Sequence, residues 1–307
     1  MSSIKYLITI KDFETESGHT GFCALGHEIH LSRYILLDML HNKYINENDV
    51  VVTVNDRKFL YSKLFRNVIT IPDFNQLDTS NNIIIKLWPF CVAHPHSNQN
   101  EYNFLQEQIK EFESVSDYPI REKIFERFEH NFNHLISKID YPIIPQPLLP
   151  INKFVMIHLR TIFTPNNNNN LDKNYKVLLM IISKIKEKYP LLDIYIFSSK
   201  NVKLDIPNIK IVRNLAVYAS LMNHDLCKAV ISEGSGGGEF SQYCHNKKIY
   251  IFGCLSYGSL KNIIIPNMSL RQNEKLLHTE WPRHGVTTAS LNCVLDINTL
   301  LENLNLE

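Results

Sequence analysis

Apolar residues fall along the chain in short unbroken runs of strand length, and between them lie longer stretches in which apolar positions recur at helical spacing. In the first half, the runs at 6–10, 50–54, 68–71 and 83–87 predict strands. Residues 30–40, 59–65, 101–113 and 120–139 predict helical segments between and after them. The segment Tyr141-Pro-Ile-Ile-Pro-Gln-Pro-Leu-Leu-Pro150 carries four prolines in ten positions, too many for a helix or a central strand, and reads as a stiff linker. The alternation then restarts. Strands are expected at 154–158, 193–197, 210–212, 229–232 and 249–252, and helices at 173–189, 216–222, 239–245 and 296–304.

Strand and helix alternating in this way is the signature of βαβ units around parallel sheets. The expected fold class is therefore α/β, with two Rossmann-like domains, 1–150 and 151–307. At 307 residues the chain can bury two cores of ordinary size. The asparagine run at 166–170 is expected to be a loop insertion.

Composition narrows the function classes. Lys and Arg number 32 against 31 acidic residues, without a long run of either sign, so the electrostatic footprint of a nucleic-acid binder is missing and any anion must be caught locally. Six cysteines are scattered without a C-x-x-C pair, which argues against a zinc knuckle and a disulfide framework and for a reducing compartment. No stretch reaches the length of an apolar membrane span, and the amino terminus lacks the apolar core of a signal peptide. The expectation is a soluble cytoplasmic protein.

Four of the ten glycines fall within residues 234–238, in the segment Ser232-Glu233-Gly234-Ser235-Gly236-Gly237-Gly238-Glu239 that follows a predicted strand and precedes a predicted helix. Glycine there permits positive φ and close approach of a ligand to the main chain, and the amide groups at the helix start favour an anion. A tightly packed or flexing loop is the plainer alternative. The turn lacks the G-K-[ST] of a Walker A motif and does not follow the first strand of a domain as G-x-G-x-x-G does. A second segment, Ile157-His158-Leu159-Arg160-Thr161, ends the first strand of the second half. Its Arg160 suits bidentate contact with phosphate, while His158 is expected to be structural.

The segment from Ala229 to Gly253, a strand, a Gly-Ser-Gly turn, a helix and a strand ending in Phe252-Gly253, resembles the donor site of GT-B glycosyltransferases of the heptosyltransferase sort. Ile157-His158-Leu159-Arg160 similarly resembles the His-x-Arg segment of fucosyltransferase-like GT-B enzymes. The resemblance covers the second half and implies two domains facing a central cleft. It also implies transfer of a sugar from a nucleoside diphosphate-sugar to a glycan-type acceptor. In that arrangement Ser235 and the amides of Gly236, Gly237 and Gly238 hold the diphosphate, and Arg160 neutralises the leaving group. Ser198 and Ser199 line the nucleoside pocket, and Glu239 accepts ribose hydroxyls.

The first βα loop, residues 11–30, would then face the acceptor, and His27 and Glu28 are the candidate general bases. A solvated polar loop is the plainer reading of those two residues. His94-Pro95-His96 lines the same cleft or forms an ordinary loop. No D-x-D pair occurs, which favours transfer without a metal; no cofactor is expected beyond the nucleotide-sugar itself. Two other classes remain open: a non-catalytic glycan- or nucleotide-binding module, and a pyruvyl-transferase-like or epimerase-like relative with the same two-domain plan.

Overall fold

In the computed structural model the described residues are 4–10, 28, 32–92, 99–121, 135, 138–158, 168–197, 206–233, 248–252, 290–294 and 306. They divide into two compact units after Asp140, so that the proline-rich segment belongs to the second. Both units are α/β, each built on one parallel sheet.

The first sheet comprises β1 (Lys5–Ile8), β2 (Val50–Thr53), β3 (Asn67–Thr70) and β4 (Ile83–Lys86), all parallel, in the order β3-β2-β1-β4. Leu7, Val51, Val52 and Ile85 are fully buried, as expected of strands covered on both faces. Helix α1 (Arg33–His41) follows the first loop, and α2 (Gln99–Ser116) follows β4. A short 3-10 turn, Asn55–Leu60, stands at the carboxyl end of β2, where the sequence pattern gave a helical segment slightly later. Beneath α1, the Tyr118 hydroxyl donates to Asp38 Oδ2 at 2.6 Å. Burial, and then the carboxylate, push that phenol far above its ordinary range.

The second sheet comprises β5 (Phe154–His158), β6 (Asp193–Phe197), β7 (Ile209–Val212), β8 (Cys227–Glu233), β9 (Lys248–Phe252) and β10 (Ser290–Val294). All pairs are parallel and the order is β10-β9-β8-β5-β6-β7. Numbered from β5, this is 3-2-1-4-5-6 read from the β7 edge, the strand order of a dinucleotide-binding doubly wound sheet. Helix α3 (Asn168–Lys188) packs Leu178, Ile181, Ile182 and Ile185 against Val155, Ile157, Ile194, Ile196, Ala229 and Ile231 on one face. Phe154, Met156, His158, Tyr195 and Phe197 alternate onto the other face, where rings of the last strand residues meet α4 (Leu215–Met222).

Two expectations are corrected. Asn168, Asn169 and Asn170 are helical, forming the start of α3 rather than a loop insertion. Asn166 and Asn167 lie outside the described residues. Strand β10, unforeseen from the pattern, extends the sheet beyond β9. The expected helices at 239–245 and 296–304, and all but the ends of the one at 120–139, lie outside the described residues.

Candidate functional site

Strand order decides where a ligand can enter a doubly wound sheet. Successive crossovers run in opposite directions from the central strand, and at the point of reversal the carboxyl ends of two neighbouring strands open a crevice between their loops. In the second sheet this point lies between β5 and β8, because the chain leaves β5 towards β6 and returns on its other side as β8. The two strands are paired with Val155 opposite Ala229, Met156 opposite Val230, Ile157 opposite Ile231 and His158 opposite Ser232. Paired strands run about 4.8 Å apart.

Both segments singled out in the sequence issue from this point. The Ile157-His158-Leu159-Arg160 segment leaves β5, and the Gly-rich segment leaves β8 one residue beyond Glu233. Strand β6, on the other side of β5, ends at Phe197 and delivers the chain to Ser198 and Ser199. Three neighbouring strands thus lead into the three segments expected to surround one nucleotide. Arg160, Ser198, Ser199, Ser235, Gly236, Gly237, Gly238 and Glu239 themselves lie outside the described residues, as do His27, His94 and His96.

His158 is half-buried. Its ring lies 5.4 Å from Phe197 and 5.8 Å from Tyr218, whose own rings are 4.5 Å apart. The sequence alone pointed to a structural histidine; alternation along β5 indeed places it with core residues, but at the end where burial gives way.

The corresponding reversal in the first sheet lies between β1 and β4. Its top is tied together by backbone and hydroxyl groups. Leu87 N–H donates to Ile8 O at 2.8 Å, and Ser32 Oγ donates to Leu87 O at 3.0 Å. Arg33, itself buried, donates from Nε to Leu60 O at 3.1 Å and from Nη2 to Lys138 O at 3.3 Å, joining α1 to the 3-10 turn and to the end of the unit.

Glu28 is the one sequence-derived site residue that is described, and it has no exposed surface. The Tyr61 hydroxyl donates to its Oε1 at 2.7 Å, and Arg57 Nη1 donates to its Oε2 in an ion pair. The Arg57 side chain is 11 % exposed. Burial works to lower the Arg57 pKa, but the charge and hydrogen bond of Glu28 overcome it and the guanidinium titrates above its ordinary value. The Tyr61 phenol is held well above its ordinary range, first by burial and then by the adjacent carboxylate. Neither partner was foreseen, since both are remote in sequence and only the fold brings them to Glu28. Among the described residues no group of His, Cys, Asp and Glu is arranged to hold a metal ion, and no helix is long and apolar enough to cross a membrane.

No family model matches the chain, and no curated protein matches it. Two solved structures show some likeness. The Thermosulfurimonas dismutans KpsC beta Kdo 2,4 transferase is 15% identical over 38% of this chain, with a TM-score of 0.27. The matched region is 40% of that protein's chain. The E. coli heptosyltransferase WaaC with ADP is 9% identical over 83% of this chain and 89% of its own, with a TM-score of 0.42. Similarity at this level carries no argument about activity; the two parallel sheets and their strand orders establish two Rossmann-like α/β units.

Proposed function

We propose that the chain is a glycosyltransferase of the GT-B kind, moving a sugar from a nucleoside diphosphate-sugar to a glycan-type acceptor. One observation carries the proposal: the His-x-Arg segment and the Gly-rich turn leave adjacent, in-register strands at the reversal point of a sheet with dinucleotide-binding strand order. A Gly-rich loop that merely packs could follow any strand. Convergence of such a loop with an arginine segment on the ligand crevice is what a diphosphate site requires.

In this reading, Ser235 and the amides of Gly236, Gly237 and Gly238 cradle the diphosphate. Arg160 stabilises the charge that builds on the departing nucleoside diphosphate, and that contribution is largest in the transition state. Ser198, Ser199 and Glu239 contact the nucleoside. The absence of a D-x-D pair supports transfer without a divalent ion, with the guanidinium and the helix start supplying the positive charge.

The acceptor hydroxyl needs a base. Of the two candidates His27 is favoured, because each Glu28 oxygen already accepts a hydrogen bond and the carboxylate has no exposed surface. Glu28 serves instead to anchor the chain beside His27.

Thermal-shift measurements with GDP-, UDP-, ADP- and TDP-sugars test the proposal. Stabilisation by one nucleotide class, with slow hydrolysis of that donor on prolonged incubation, is the expected result. Stabilisation by none of the sugars or free diphosphates would dismiss the donor site, and tight binding without turnover would indicate a binding module.

A further inference from the structure

Threonine ends two neighbouring strands of the first sheet on the same face. Thr9 N–H donates to Val52 O at 3.0 Å, the ladder bond that sets Thr9 opposite Thr53 and continues the register of Leu7 with Val51 and Ile8 with Val52. Alternation then puts both threonines with the buried Leu7 and Val51, on the face opposite Ile10, Val52 and Val54. Neither has any exposed surface. Strands paired in this way run about 4.8 Å apart, so the two side chains are neighbours.

A hydroxyl carries one donor and two acceptor positions. Thr9 Oγ1 spends its hydrogen on Val52 O at 3.3 Å, and among the described residues no donor reaches its lone pairs. Thr53 Oγ1 uses none of its positions: among the described residues it is the one buried side-chain oxygen or nitrogen without a hydrogen-bond partner. On the other side of β2, Thr70 stands opposite Thr53 in register, but its hydroxyl is already engaged. It donates to Asp73 Oδ2 at 2.6 Å and accepts from Asp73 N–H at 3.4 Å, capping the short helix Ile71–Phe74. Thr9 is therefore the neighbour with capacity left. A buried hydroxyl that meets nothing carries the whole cost of leaving water, and an internal water removes that cost where the site offers it two or more polar partners.

We propose that one internal water bridges Thr53 and Thr9 at the carboxyl edge of the first sheet, accepting the Thr53 hydroxyl hydrogen and donating to a lone pair of Thr9 Oγ1. The bridge ties together the strand ends from which both sides of the Glu28 ion pair depart. Strand β1 leads into the segment that carries Glu28, and β2 into the 3-10 turn that carries Arg57 and, just beyond it, Tyr61. The bridge does not rest on the donor-site reading.

A crystal structure of the full chain tests it directly. A water within about 3.2 Å of both Thr53 Oγ1 and Thr9 Oγ1 is the expected result. A Thr53 hydroxyl turned onto a protein group, one that meets nothing, or a water that touches Thr53 without reaching Thr9 would overturn the inference.

Stability gives a second reading through its sign. T53V keeps nearly the same shape and removes the hydroxyl. Loss of a held water should lower the urea midpoint of the first unit by about 0.5 M, followed by Trp88 fluorescence in a W281F background. T9V should lower it too, and the double variant should lose less than the sum, since one water serves both residues. T53S, which keeps the hydroxyl, should be more stable than T53A. A T53V midpoint equal to or above that of the wild type is the mark of a hydroxyl buried alone and would overturn the proposal, as would losses from T53V and T9V that simply add.

Discussion

Replacing Glu28 by Gln is a sharp test of how the first unit is held together. The substitution keeps the shape and one acceptor oxygen but removes the charge that Arg57 faces. Arg57 is only 11 % exposed and Glu28 has no exposure, so the guanidinium would be left in a largely water-free setting without its counter-charge. Breaking a buried pair from one side costs about 3–5 kcal/mol. With a urea m-value of about 2 kcal/mol/M for a unit of this size, the midpoint should fall by roughly 1.5–2.5 M. The chain has two tryptophans, Trp88 and Trp281, so fluorescence of Trp88 in a W281F background reports the transition of the first unit. Adding R57M to E28Q should recover most of the loss, because the orphaned charge is then gone. A shift of E28Q below about 0.3 M would mean that water reaches the pair and would refute the reasoning.

Other outcomes follow from the same contacts. Tyr61 and Tyr118 have pKa values raised in the folded state by burial and by carboxylate neighbours, so their contribution to stability is complete below about pH 10 and is lost as the pH rises further. Each should steepen the alkaline decline by about 1.4 kcal/mol per pH unit while the unfolded chain ionises and the folded one does not. In Y61F and Y118F, urea titrations between pH 9 and 11 should each show a shallower slope; slopes equal to the wild type would contradict the assignment. Asn214→Ala removes the cap of α4 and should cost about 1 kcal/mol, read as a lower melting temperature, whereas no change would mean that the helix start is held by other contacts. Substituting Gly237 by Val should abolish nucleotide binding without lowering the melting temperature, since a side chain would obstruct the main-chain cradle; retained affinity would remove that glycine from the site.

Much of the fold was legible because its central strands are buried on both faces and carry unbroken apolar runs. Phe154-Val155-Met156-Ile157 and Ile194-Tyr195-Ile196 read as strands from the residues alone, and β5 and β6 occupy the spans expected. Strand β10, Ser290-Leu-Asn-Cys-Val294, lies at the sheet edge and mixes polar with apolar positions, so its local signal is weak and pairing with β9 decides it. The asparagine run misled because composition is a weak guide to local structure, and the helix that follows extends back to include Asn168, Asn169 and Asn170. At the site, the Gly-rich turn and the arginine segment were visible as sequence, but their adjacency was not: it depends on strand order, which places β8 beside β5 although α3, β6, β7 and α4 lie between them in the chain. Glu28 was visible as an acid beside His27 in the first βα loop. Its burial was not, because Arg57 and Tyr61 lie 29 and 33 residues away in the chain.

In the proposed function, the β5–β8 reversal binds a nucleoside diphosphate through Arg160 and the Gly-rich turn. Calorimetric titration of wild type and R160A with GDP, UDP, ADP and TDP addresses it most directly. Saturable binding of at least one by the wild type is expected, with a loss of about tenfold or more in R160A at unchanged melting temperature, as for removal of a charge-assisted phosphate contact. Binding of none of the four by the wild type, or equal affinity in R160A, would contradict it.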